Sequence, residues 1–190
     1  MPAPDAPPVL KWTQEEVDSL GADKGFLPAA YWPDDRKAED FARRVHADQT
    51  YDGHSYANGH LVKVVQVVKD FGFFGSHVEA AWLHDAIEDT DETFSSIEAE
   101  FGTTVASIVW GCSGDNGDRA AHMASVYAKI EAFPKAAIVK TADRIANVEA
   151  GKADGRHRLR YLKEASPFAR NVLRYVPLAM SERLERAYVA

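Results

Sequence analysis

Cysteine is almost missing from these 190 residues: Cys112 stands alone, so neither an intramolecular disulfide nor a thiolate metal cluster can form. A metal, if present, must be held by histidine and carboxylate. Long apolar runs are also lacking; none approaches the roughly 18–20 residues of a membrane-spanning helix. The first residues show no basic stretch followed by an apolar one, so no secretory signal is recognised. Basic surplus is absent as well, since 22 Lys and Arg against 29 Asp and Glu leave a net charge of −7. An acidic chain of this kind is a poor match to duplex nucleic acid. Together these absences point to a protein of the reducing cytoplasm, bound to neither membrane nor nucleic acid. A small anionic ligand would have to be met by local cations or a metal.

What is present is an ordinary globular balance, 46% hydrophobic and 27% charged, in a chain long enough for one self-sufficient core. Pro2, Pro4, Pro7 and Pro8 make residues 1–12 an extended, disordered lead-in. Thr13 and Glu16 form a capping-box pair that opens a short helix to about Leu20, and residues 21–34 are irregular. The main domain is expected over 35–190. Helices are predicted from Asp35 to Gln49, and from Leu61 to Phe71, where Leu61, Val64, Val65 and Val68 recur at helical spacing despite their β-branching. Ser76 is expected to cap a helix running to Asp89. Further helices follow over 93–101, after Gly102, near 119–132 and 135–149, and beyond Gly155. A glycine-rich loop covers 113–118; lacking the Lys-Ser/Thr ending of a phosphate-cradling loop, it is expected as a mobile segment at the site's edge. Beyond the β-branched content of the valine stretch from Leu61, no second strand signal appears. The expected fold is all-α, a single domain of roughly nine to eleven helices.

Ionisable residues interrupt this apolar pattern at three places. In Trp82-Leu83-His84-Asp85-Ala86-Ile87-Glu88-Asp89, helical spacing brings His84, Asp85 and Glu88 to one side. Burying such a group is costly unless a cation offsets the desolvation; a solvated helix end is the alternative. In Lys140-Thr141-Ala142-Asp143-Arg144-Ile145-Ala146-Asn147, Asp143 and Asn147 are four apart beside the apolar face, with Lys140 and Arg144 on neighbouring turns. An exposed, salt-bridged helix is the alternative there. The third place is Gln49 to His60, leading into the valine helix.

These residues resemble a known family. His60, the His84-Asp85 pair and Asp143 match the H…HD…D pattern of HD-domain metal-dependent phosphohydrolases. The longer stretches, Leu83 to Thr90 with Phe101-Gly102 and Val139 to Val148, resemble the hydrolase domain of RelA/SpoT-type alarmone enzymes. In length the chain is similar to the stand-alone small alarmone hydrolases, and the likeness covers about residues 36–165. The resemblance implies that His60, His84, Asp85 and Asp143 bind one divalent ion, usually Mn²⁺. Two imidazoles and two carboxylates suit a borderline-to-hard cation. It further implies that Glu88 and Asp89 position or deprotonate the attacking water, and that Asn147 lines the nucleotide site. Lys140 and Arg144 would offset phosphates or form structural ion pairs. In the basic run Arg156 to Lys163, Arg158 or Arg160 would reach the 5′-phosphates, a solvated helix face being the alternative.

Two departures bear on specificity. Where the family carries an Arg that stacks on guanine, Thr50-Tyr51 stands here, so Tyr51 is the expected base contact. Tyr56 precedes His60 by four residues rather than three, which implies a local adjustment around Gly59, with His54 as a substitute ligand. The expected activity is Mn²⁺-dependent 3′-pyrophosphohydrolysis of a hyperphosphorylated purine nucleotide, (p)ppGpp or (p)ppApp. The rivals are an HD-type nucleotide phosphatase removing one phosphate, from NADPH or a nucleoside monophosphate, and a non-catalytic nucleotide-binding or antitoxin-like protein. Oligomeric state is not legible.

Overall fold

The computed structural model describes residues 34–151 and 156–189, with side chains from 34–151 and 158–189. The expected lead-in and the capping box at Thr13 therefore lie outside the described residues. Helix α1 spans Arg36–Val45, a two-residue hairpin pairs β1 (Thr50–Tyr51) with β2 (His54–Ser55), and a π-helical turn over Ala57–Leu61 feeds α2 (Val62–Asp70). Then follow α3 (Ser76–Leu83), α4 (Ala86–Asp89), α5 (Phe94–Phe101), α6 (Thr103–Cys112), α7 (Arg119–Ala132) and α8 (Ala136–Ala150). Helices α9 (Arg156–Lys163), α10 (Ala165–Asn171) and α11 (Leu178–Val189) close the chain, with a 3₁₀ turn at Leu173–Tyr175. No helix among the described residues is long and apolar enough to cross a membrane.

Helix α8 is the axis of the molecule. Residues on every side of it are buried, Ile138, Val139, Ile145 and Val148 among them, as expected of a helix inside a core rather than on its surface. It packs against α2, α3, α6, α9 and α11. The valine helix α2 turns Val64, Val65, Val67 and Val68 inward, so apolar periodicity outweighs the strand preference of β-branched side chains. Each fully buried Leu or Ile here contributes about 1.5–3 kcal/mol. Helix α11 is fastened to the core by Arg183, which bonds Asp70 at 2.7 Å and Glu149 at 3.0 Å.

Three expectations are corrected. Gly75, at φ 55°, is the N-cap of α3, and Ser76 is its first helical residue without a side-chain cap. The single helix expected from Ser76 to Asp89 breaks at His84-Asp85, where His84 Nδ1 bonds the Ala81 carbonyl at 2.9 Å and competes with the backbone ladder. Glu88 and Asp89 thus sit on a separate short helix. The hairpin at 50–55 is the strand pairing that no sequence signal announced, two residues per strand being too short for alternation to register.

Candidate active site and metal centre

Three parts of the chain converge on one buried point. The π-helical turn supplies His60, the α3 end and its following turn supply His84 and Asp85, and α8 supplies Asp143. Ligand atoms of His60, His84 and Asp143 all lie within 4.8 Å of one another. His60 Nε2 is 3.3 Å from His84 Nε2 and 3.3 Å from Asp143 Oδ1. Asp85 Oδ2 approaches His84 Nε2 at 3.0 Å and His60 Nε2 at 3.7 Å. His84 and His60 are 0% and 2% exposed. With Nδ1–H of His84 donated to the Ala81 carbonyl, its Nε2 lone pair is left facing the other donors, the usual tautomer of a metal ligand.

The electrostatics describe what this group lacks. Burial opposes charge on His84, yet Asp85 and Asp143 together raise it to about 10. Burial likewise works against both carboxylates, but His84 beside Asp85, and Lys140 with the two imidazoles beside Asp143, hold them below the ordinary range. The cluster thus calls for positive charge at its centre. Two imidazole nitrogens and carboxylate oxygens converging on it fit a divalent ion of borderline-to-hard character.

Neighbouring side chains hold these donors in place. Tyr56 Oη donates a short hydrogen bond to Asp85 Oδ2, and burial followed by that carboxylate pushes the phenol up so that it stays protonated. Asn147 Nδ2 donates to Asp143 Oδ1 at 2.5 Å, and Lys140 Nζ lies 3.4 Å from Asp143 Oδ2. The π-helical turn explains the four-residue spacing from Tyr56 to His60. Its wider i→i+5 closure accommodates one extra residue while His60 still meets His84. Gly59 is required there because a Cβ would fall 2.6 Å from the Tyr51 carbonyl oxygen. His54 stays exposed on β2, outside the donor group.

A cavity of about 270 Å³ opens above the donors. Its acidic wall is Glu88 and Asp89; burial, then Asp85 and Glu88, raise the Asp89 carboxyl to about 6. Its cations come from Arg119 on α7, Lys140 and Arg144 on α8, and Arg160 on α9, and His122 of α7 lines it beside Glu88. Tyr51, Asn147 and Tyr161 complete the lining. Every expected site residue but two, the fully buried His84 and Arg158, therefore lines this space.

Arg158 donates its Nε N–H instead to the Tyr188 carbonyl at 3.0 Å; Arg160, two residues on, lines the cavity in its place. Arg144 reaches the cavity but is 2% exposed, bonded to Glu164 at 2.8 Å and 3.8 Å above the Phe168 ring, so its role is largely structural. Arg119 and His122 escaped sequence reasoning. Their i, i+3 spacing, just after the glycine-rich loop, was the available signal. That loop does lie at the edge of the site, yet Lys129 ties it down through Ser113 O at 2.9 Å and Asp115 Oδ1 at 2.7 Å.

Comparison with known proteins places this geometry among relatives. A guanosine-3′,5′-bis(diphosphate) 3′-pyrophosphohydrolase of Danio rerio is 34% identical over 117 residues, covering 57% of this chain and 63% of that protein. The bifunctional (p)ppGpp synthase/hydrolase SpoT of Escherichia coli is 32% identical over 164 residues, 80% of this chain but only 23% of the relative. The chain thus corresponds to part of each of these proteins. The solved structure of a metazoan ortholog of SpoT that hydrolyses ppGpp superposes with a TM-score of 0.71 at 20% identity, covering 83% of this chain and 96% of that one. The model of a family described as HD domain matches residues 38–182. A match running from the first core helix into the last makes this chain a member of the HD-domain family.

Proposed function

We propose that the protein is a metal-dependent 3′-pyrophosphohydrolase of hyperphosphorylated purine nucleotides, (p)ppGpp or (p)ppApp, with Mn²⁺ as its ion. One observation carries the proposal: the Glu88-Asp89 pair opens onto the same cavity as His60, Asp85 and Asp143, and Arg119, Lys140 and Arg160 line it too. The relatives' names point to the same reaction.

His60, His84, Asp85 and Asp143 would hold the ion. When bound, it supplies Lewis acidity to the 3′-pyrophosphate and acidifies water. The chain's own residues do the rest. Asp89, whose value near 6 suits a base at neutral pH, and Glu88 orient a water and accept its proton as it attacks the phosphorus on the ribose 3′-oxygen. The bond from that phosphorus to the 3′-oxygen breaks, the oxygen takes up a proton, and pyrophosphate leaves. Arg119, Lys140 and Arg160 offset phosphate charge, and Tyr51 meets the base. A phenol stacks on either purine and lacks the charged donor fork that a guanidinium offers to guanine, so little base preference follows.

The test is incubation with Mn²⁺ and a panel of ppGpp, ppApp, NADPH and nucleoside monophosphates, with products separated by chromatography. Pyrophosphate with nucleoside 5′-di- or triphosphate is the expected outcome. Orthophosphate alone would assign a phosphatase, and tight binding without turnover a sequestering protein.

A further inference from the structure

Glu88 is met by two elements remote from it in sequence. Its Oε2 accepts the backbone N–H of Gly114 at 3.3 Å, and its Oε1 faces His122 Nε2 at 3.5 Å. Gly114 and His122 are fitted to each other. A Cβ on Gly114 would fall 2.2 Å from His122 Nδ1 and 2.3 Å from Cε1. The backbone at Gly114 is not in the left-handed region, so glycine is needed there to make room for the ring. Helix α7, which carries His122, also anchors the Gly114 segment, since Ser125 Oγ accepts the Asp115 N–H at 2.8 Å and Lys129 holds Ser113 and Asp115. Imidazole and amide are therefore presented to Glu88 as one unit.

We infer that His122, seated against Gly114, is a positioning residue for Glu88: its Nε2–H and the Gly114 amide hold one carboxylate oxygen each and fix how Glu88 faces the attacking water. The inference rests on the function proposed above. A carboxylate on a four-residue helix at the cavity rim has several rotamers open to it, and confining it to the productive one gains rate without touching the substrate. The charge state suits the role. Burial lowers His122 below its ordinary value; Glu88 opposes this, and Lys140, Arg119 and Lys129 act with burial. At neutral pH the imidazole is uncharged, so it orients Glu88 without the full positive charge that would weaken the base. Acidification turns it cationic and blunts Glu88.

Steady-state release of pyrophosphate from ppGpp with Mn²⁺ tests this in the wild type, His122→Ala, His122→Gln and Gly114→Ala, alongside Mn²⁺ content. An NMR titration of the His122 ring in wild type and Glu88→Gln provides a readout independent of turnover. His122→Ala is expected to lower kcat by about 10- to 100-fold, the cost of a misplaced group, with KM and Mn²⁺ content nearly unchanged. His122→Gln, which restores an N–H near Nε2, should recover most of that loss and flatten the part of the acid limb due to His122. Gly114→Ala should fall with His122→Ala. The ring should titrate at lower pH in Glu88→Gln than in wild type, because the carboxylate that favours the imidazolium is gone. A raised KM with kcat intact would overturn the inference, as would a His122 titration indifferent to Glu88. If wild type releases no pyrophosphate, the functional proposal fails, and the titration still decides whether the two side chains are coupled.

Discussion

The Tyr51 hydroxyl donates a hydrogen bond at 3.0 Å to Asn147 Oδ1, 96 positions away, and so joins the hairpin to the central helix. Asn147 in turn donates to Asp143, while the Tyr51 ring stacks on His60 at 5.2 Å with 25° between the planes. The residue expected to meet the base is thus also part of the support of the His60-Asp143 cluster, and a stacked purine must use the ring surface that His60 leaves.

Base selection follows from this placement. Wild type should cleave ppApp at a rate comparable to or better than ppGpp, and Tyr51→Arg should shift the ratio of kcat/KM toward ppGpp. Tyr51→Phe keeps the stacking and loses one hydrogen bond, so it should cost about 0.5–1.5 kcal/mol in kcat/KM for both substrates alike. A hundredfold preference for ppGpp, unaltered by Tyr51→Arg, would place base selection elsewhere.

Asp143→Ala should abolish metal retention and turnover together. Asp143 is at once a donor within the His60-His84 group and the partner of Lys140 and Asn147. Its removal takes charge from the site and leaves Lys140 without its facing carboxylate. Metal analysis and rate measurement check this; full occupancy at a near-normal rate would exclude the assignment.

Glu88→Gln and Asp89→Asn should retain the metal and slow hydrolysis by roughly 10²–10⁴, the range for a positioned general base. Because Asp89 is raised to about 6 and acts when ionised, activity should fall as pH drops through that value. A bound cation attracts the carboxylate form and moves the limb lower, so it should appear at or below pH 6. Loss of metal from either variant would make the pair ligands instead.

Arg144→Met should act on stability first. The guanidinium is buried between Phe168 and Glu164, and removing one partner of a buried ion pair costs about 3 kcal/mol or more. At about 2–4 °C per kcal/mol, Tm should fall by roughly 6–12 °C. Arg160→Ala, on an exposed side chain, should raise KM for the nucleotide and leave Tm almost unchanged. Calorimetry with kinetics on both variants separates the two roles.

The helices, and the His and Asp residues that meet at the buried cluster, were largely legible in the sequence. Leu61, Val64, Val65 and Val68 mark a buried face at the period of a helix, and Asp143 with Asn147 lie one turn apart on another, relations that depend on nearest turns alone. An ionisable His-Asp pair within an apolar helix signals a cation through the cost of desolvation, wherever the helix later packs. Local spacing could not choose between Arg158 and Arg160, because both fit an amphipathic helix and only its packing against α8 and α11 turns one toward the cavity. It could not foresee the break at His84, where a side chain bonds the Ala81 carbonyl, nor the π-helical turn that absorbs the extra residue before His60. The approach of Gly114 and His122 to Glu88, the capture of Arg144 by Glu164 and the joining of Tyr51 to Asn147 were decided by tertiary structure. Each brings together groups about 20 to 96 positions apart, and that meeting is set by how whole helices pack, which no periodicity within one helix encodes.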